Sequence, residues 1–251
     1  MYFNDEKISS AVGGGKPLLD HVFEKMNRVV IFRFSFFGYE IDVGNTTLIT
    51  WIIMALLIIM ALIFTRKMSV GKPGKLQIIT ELFVETVDNI CKDSIGCHYK
   101  AYVPYIGTLL LYIGLANVIS VLNFIPGVDI FPPTKDINVT AALALISVLV
   151  VIYSGFRRKG FVGWAKSLAD PMPLMIPFKL MEYGTKPLSL CLRLFGNVVA
   201  SFMIMELLLA FVPFLGSPFS AYFDLFDGIL QAYIFIYLTS IYIGEAVEPV
   251  E

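Results

Sequence analysis

The chain has 251 residues, 57% of them hydrophobic and only 16% charged, with mean hydropathy +0.76, against roughly 45–50% and about 25% in soluble domains. That balance excludes an ordinary water-facing fold. A net charge of -1 and a pI near 6.1 exclude the broad basic surface that nucleic acid binding requires.

The opening stretch MYFNDEKISSAVGGGKP has no basic segment leading into an apolar core, so it does not read as a cleavable signal. Residues 1–45 are expected to form an external N-terminal tail, followed by a single membrane domain over 46–251. The first predicted crossing is 46–64, TTLITWIIMALLIIMALIF, a charge-free run close to the ~20 residues that span a bilayer core. Next, 75–92 carries Leu76, Ile79, Phe83, Val87 and Ile90 at helical spacing with Glu81, Glu85 and Asp88 between them. It suits an amphipathic helix on the inner surface or against a partner. Apolar runs over 104–125 and 138–155 predict two further crossings, and 174–211 and 221–244 the last two. The expected fold is therefore all-α: about five membrane helices plus an amphipathic surface helix.

Basic residues set the orientation. Arg66, Lys67, Lys72 and Lys75 follow the first span, and Arg157, Arg158, Lys159 and Lys166 follow the third, so both loops are expected in the cytoplasm. The N-terminus then lies outside and the C-terminus inside, with Arg28 and Arg33 in the tail weakening the rule locally. Nothing suggests metal or cofactor binding, since Cys91, Cys97, Cys191, His21 and His98 lack ligand spacing; the cysteines read as small apolar fillers.

The fourth span is the informative one. As one helix, 174–211 would run about 57 Å, nearly twice the bilayer core, so it must tilt steeply, bend or break, with Pro177, Gly184, Pro187 and Gly196 placed to permit this. It carries Lys179, Glu182, Lys186, Arg193, Asn197 and Glu206, and ionisable residues at membrane depth are costly. Glu182, Lys186, Ser189, Arg193, Asn197 and Ser201 make one slowly winding polar stripe. A blander account has Lys179, Glu182 and Lys186 merely snorkelling at the cytoplasmic end. Arg193 has no such escape: it keeps its proton at any reachable pH and must meet a carboxylate or water. The nearest acid on the stripe, Glu182, lies three turns away, which points to a counter-charge on another chain. In the last span Asp224, Asp227 and Gln231 share a helical face and could line an aqueous entry, although both aspartates would also suit capping charges at a helix start.

The run KPLSLCLRLFGN, Lys186 to Asn197, followed by LQAYIF, Leu230 to Phe235, resembles the a subunit of F-type ATP synthases. PPTKDINVTAALAL and YSGFRRKGFVGW resemble that family's stretches around its own membrane helix, and the similarity runs from about Asn45 to Glu248. The resemblance implies that the last two helices are long and tilted and form a hairpin against a ring of c subunits, with b subunits of the peripheral stalk and membrane lipid as further partners. It implies that Arg193 is the essential stator charge, with Asn197 and Gln231 as polar neighbours along a path of proton or sodium ions. Two departures stand out. Phe202 occupies the place of a glutamate or histidine nine residues after the arginine, so Glu206, one turn further, is expected to substitute. Lys179 stands where some relatives have a glutamate, with Glu182 one turn on. Asp224 and Asp227 are expected with Glu206 on the outer side, and Lys186 and Ser189 with Glu182 on the inner. No phosphate loop is present, so ATP chemistry belongs to other subunits. The localisation implied is a bacterial plasma membrane or an organellar inner membrane. A self-contained channel would also explain buried charge, and so would a purely structural membrane subunit. The first would conduct alone; the second would pair Arg193 with its own acid.

Overall fold

The computed structural model describes residues 30–36, 39–66, 68, 74–119, 132–168, 174, 176–211 and 213–248. The chain begins, within these, with an antiparallel pair, β1 (Val30–Phe36) and β2 (Tyr39–Gly44), in which Arg33 lies opposite Asp42 and the register slips between Val30 and Phe32. This ordered pair replaces part of the expected tail and departs from a purely helical fold. Both strands alternate bulky and polar residues, a period of two that the apolar-run reading passes over. Residues 1–29, with Arg28, lie outside the described residues.

Six helices follow among the described residues: α1 (Asn45–Thr65), α2 (Lys75–Ile95), α3 (Val103–Val118), α4 (Ile137–Leu168), α5 (Ile176–Phe211) and α6 (Pro213–Val247). Helix α1 is apolar all round. Only its first turns are covered by the protein, through Ile49 and Ile53, while Trp51, Ile58 and Leu62 face outward. Helix α2 buries Val87, Cys91 and Ile95, spaced four apart, against α3 and α6. It ends at Gly96, whose positive φ of 76° lets its N–H close back on the Lys92 carbonyl. The amphipathic helix thus docks on its own bundle through its second half and leaves Leu76, Ile79 and Leu82 exposed in its first.

Helix α3 ends at Val118, earlier than the expected 125, and at 16 residues it falls short of the ~20 that cross a bilayer; 120–131 lie outside the described residues. Asp136 starts α4 as an N-cap, accepting the Asn138 backbone N–H at 3.0 Å through Oδ1. Its other oxygen, Oδ2, accepts the Thr46 hydroxyl at 3.0 Å, so one buried carboxylate also ties down the start of α1. Helix α4 does not stop at 155. It runs on through the basic stretch expected to be a loop, to Leu168, with a break at Gly160, where φ is 69°. Among the described residues three segments are long and apolar enough to cross a membrane: Asn45–Thr65, Ile137–Gly160 and Leu225–Val247.

Helix α5 is continuous for 36 residues, about 54 Å, and carries Pro187 in its interior. Helix α6 is nearly as long and begins at Pro213, well before the expected 221. It is the hub of the bundle, packed against α2, α3, α4 and α5. One core runs along it: Ile106 and Ile113 of α3, Val148 of α4, Leu190 and Leu194 of α5, and its own Phe235, Ile236 and Ile243.

Candidate functional site

The residues singled out from sequence converge on the seam between α5 and α6. Two polar rungs cross it. The Asn197 amide Nδ2 donates to Gln231 Oε1 at 2.6 Å, and one turn further along α5, one turn back on α6, the Ser201 hydroxyl donates to Asp227 Oδ2 at 3.2 Å. Stepping forward on one helix and backward on the other requires the two to run in opposite directions. Gln231 is 1% exposed, and among the described residues its Nε2 has no hydrogen-bond partner. A buried amide donor left open in this way is a place for water or an arriving ligand. Asp227 lies 14 positions beyond Pro213 within α6, so it is no capping charge at a helix start.

Arg193 precedes Asn197 by one turn and would reach across at the level of Phe235, which is fully buried and apolar. It is half-buried and makes no ion pair among the described residues. Ser189, Leu192 and Gly196 around it are exposed, which gives the guanidinium an open side. Glu182, the one acid on its stripe that sequence offered as a partner, is engaged elsewhere. Glu206 and Asp224 fall on the helical backbone of α5 and α6, with their side chains outside the described residues.

A second polar cluster lies nearer the start of α5. Lys186 is 8% exposed, so it does not snorkel into water as the blander account had it. Its Nζ sits 2.8 Å from Glu182 Oε1 and 2.9 Å from Glu245 Oε2, with the Tyr242 ring 5.0 Å away and the Tyr183 ring 5.8 Å. Buried ammonium requires such pairing. Glu245 was missed from sequence because, near the end of an apolar helix, it looks like an ordinary terminal charge. Only the antiparallel seam, which brings the end of α6 beside the start of α5, gives it a partner. Alongside, Trp164 Nε1 donates to the Tyr183 hydroxyl at 3.2 Å and joins the far end of α4 to α5.

Cys91 and Cys191 are buried and serve as apolar fillers, while Cys97 is exposed. Among the described residues no group of three or more His, Cys, Asp or Glu side chains is placed to hold a metal ion.

The geometry is thus a half-open cation on a long helix, flanked along one seam by amides, a hydroxyl and carboxylates. The family model for the ATP synthase A chain matches residues 47–244, which takes in both polar rungs and Lys186 and stops one residue short of Glu245. The ATP synthase subunit a of Gloeobacter violaceus is 38% identical over 210 residues, covering 82% of this chain and 84% of that relative. With the family model matched over most of the chain and apolar helices long enough to cross a membrane, this chain belongs to the ATP synthase A chain family, membrane-embedded components of the ATP synthase.

Proposed function

We propose that this chain is the stator of the ATP synthase membrane sector, offering two offset ion half-channels to a rotating ring of c subunits and thereby coupling ion flow to rotation. The observation that carries the reading is Arg193: a permanent cation on a long membrane helix, open on one side, unpaired among the described residues, and next to the Asn197–Gln231 and Ser201–Asp227 rungs. Such a charge wants a carboxylate. The ring supplies one from each c subunit in turn.

An ion, proton or sodium, enters from outside past Glu206, Asp224 and Asp227, neutralises a ring carboxylate and lets it turn into lipid. A neutral carboxyl tolerates hydrocarbon; an ionised one does not. After nearly a full turn the carboxyl reaches the inner half-channel, near Glu182, Lys186 and Ser189, loses its ion and pairs with Arg193. At ~4 Å and an effective dielectric near 20 that attraction is about 4 kcal/mol before desolvation, and each charge moved through 100 mV supplies about 2.3 kcal/mol. The two are comparable, so the membrane potential can drive the exchange. Arg193 also bars direct passage between the half-channels. The N-terminus lies outside and the C-terminus in the cytoplasm of a bacterial cell, with b subunits of the stalk holding the chain still and ATP chemistry on other subunits.

The test is ATP-driven ion pumping in inverted membrane vesicles. Arg193→Ala abolishes pumping while the assembled complex remains in the membrane; full coupled pumping by that variant refutes the assignment. A channel sufficient in itself would conduct when the purified chain is reconstituted alone, whereas this chain conducts only with its ring.

A further inference from the structure

Two adjacent rows of side chains run down the middle of α6. Asp227 and Gln231 form the row that meets α5. Gly228 and Ala232, about 100° round the helix, form the row that meets α3. On that second row the approach is close: a Cβ added to Gly228 would lie 2.8 Å from Asn117 Cβ, and one added to Gly114 would lie 4.0 Å from Ala232 Cβ. Small residues four apart are what allow two helices to come this near.

At this contact Asn117, in the last turn of α3 and 4% exposed, donates from Nδ2 to the Gly228 carbonyl at 3.2 Å. Its Oδ1 accepts the hydroxyl of Thr134, 0% exposed, at 2.7 Å. The Gly228 carbonyl can only accept, so it selects Nδ2, and the Thr134 hydroxyl, donating to the Oδ1 left on the other side, holds the amide in that plane. A carbonyl has two lone pairs, so Gly228 accepts from Asn117 without giving up its place in the α6 ladder.

We propose that Asn117, steered by Thr134, is a positioning residue for the ion path: by gripping the Gly228 carbonyl it sets the rotation of α6 and so aims Asp227 at Ser201 and Gln231 at Asn197. The role in ion movement rests on the proposed path along α5 and α6; the grip itself does not. Side chains of a helix end about 5–6 Å from its axis, so a rotation of ~20° carries their tips about 2 Å. That is enough to open both rungs beyond hydrogen-bond range. Losing the grip leaves α6 helical, since its own ladder is intact, and removes only its bearing on α5.

The experiment uses the whole ATP synthase in its native membranes, with Cys91, Cys97 and Cys191 replaced by serine or alanine and the pair Ser201→Cys, Asp227→Cys introduced. The initial rate of disulfide formation on adding copper phenanthroline reads the aim of α6 at α5. Asn117→Ala slows it about fivefold, the population shift that accompanies loss of one buried hydrogen bond. Thr134→Val slows it in the same direction and Thr134→Ser, which keeps the hydroxyl, restores it. In the background with Ser201 and Asp227 intact, Asn117→Ala and Thr134→Val lower pumping per assembled complex. If Asn117→Ala fails to accumulate, the Thr134 pair still gives the readout. An unchanged disulfide rate in Thr134→Val, or equal rates for Thr134→Val and Thr134→Ser, overturns the proposal. Full pumping by Arg193→Ala would instead overturn the ion path while the slowed disulfide upheld the grip.

Discussion

Lys186 lets the balance of charge at the α5–α6 seam be tested one group at a time. The ammonium is 8% exposed, whereas its carboxylate partners are half-exposed, at 44% for the Glu182 side chain and 51% for Glu245. Water therefore compensates the acids far better than the amine. Glu245→Gln keeps an amide oxygen to accept the hydrogen bond and leaves Glu182 as a full counter-charge, so the loss is about 1 kcal/mol after allowing for exposure. Glu182→Gln costs the same order. Both changes together leave a buried cation with amide oxygens and two tyrosine rings, the latter worth about 0.5–1 kcal/mol each, but no counter-charge, and the penalty rises to ~3–5 kcal/mol. The double variant must therefore lose clearly more than the sum of the singles. Lys186→Met removes the desolvated charge altogether and is milder than the double variant, because both acids can then hydrate. The assay is the fraction of the chain retained in the solubilised complex across a temperature series, compared between the four variants. A double variant no worse than its two singles added together, or a Lys186→Met variant worse than the double, refutes the reasoning.

Three further outcomes follow from other contacts. Gly244→Ala drives a methyl into the Ser94 carbonyl at the end of α2, a backbone contact with no give, and lowers the yield of assembled complex by an amount consistent with more than ~3 kcal/mol; normal assembly would show that α2 does not dock there. Gly160→Ala, at φ 69° and ψ 171°, meets no steric neighbour but forces a Cβ into a backbone region essentially reserved for glycine, costs about 1–3 kcal/mol and lowers the fraction retained at the warm end of the same temperature series; full retention would show that the helix is not broken there. Maleimide labels exposed Cys97 in the folded complex between pH 7.5 and 8.5. Burial pushes the Cys91 thiol up to about 11, so the thiolate is absent across that window and Cys91 stays unlabelled until the complex is unfolded; labelling of Cys91 in the folded complex counts against the α2–α6 contact.

Much of this fold was legible in single helices. The charge-free run of α1, the apolar face of α2 and the excessive length of α5 are local properties that periodicity and length report directly. The polar stripe of α5 was legible for the same reason, as was the shared face of Asp227 and Gln231 on α6; that the two faces meet came only with the structure. What stayed hidden depends on registration between helices. Glu245 gains its meaning from Lys186, 59 residues earlier, and Asn117 from Gly228, 111 residues later. Neither pairing has a local signature. The continuation of α4 through Arg157 and Arg158 was hidden by chemistry of another kind, because a basic run outside an apolar core says where the bilayer stops and nothing about where the helix does. The β1–β2 pair was overlooked because its alternation is short and weakly apolar beside the helices that follow.

Helix α1 is held at one end. Its ties are the Thr46–Asp136 hydrogen bond, the Tyr112 hydroxyl donating to Thr50 at 3.4 Å, and the buried Ile49 and Ile53, all within its first turns. Beyond Leu57, which still packs on that patch, the helix is largely exposed, in a rod about 30 Å long in all. Mechanically it is a cantilever. A sideways load on its Thr65 end acts at the Thr46 end with a long moment arm, and the small patch there has to balance it. Whatever braces the far end, lipid or a neighbouring chain, thereby feeds stress into Asp136, the residue that also starts α4. The stiffness of that joint thus rests in part on one carboxylate shared between two helices.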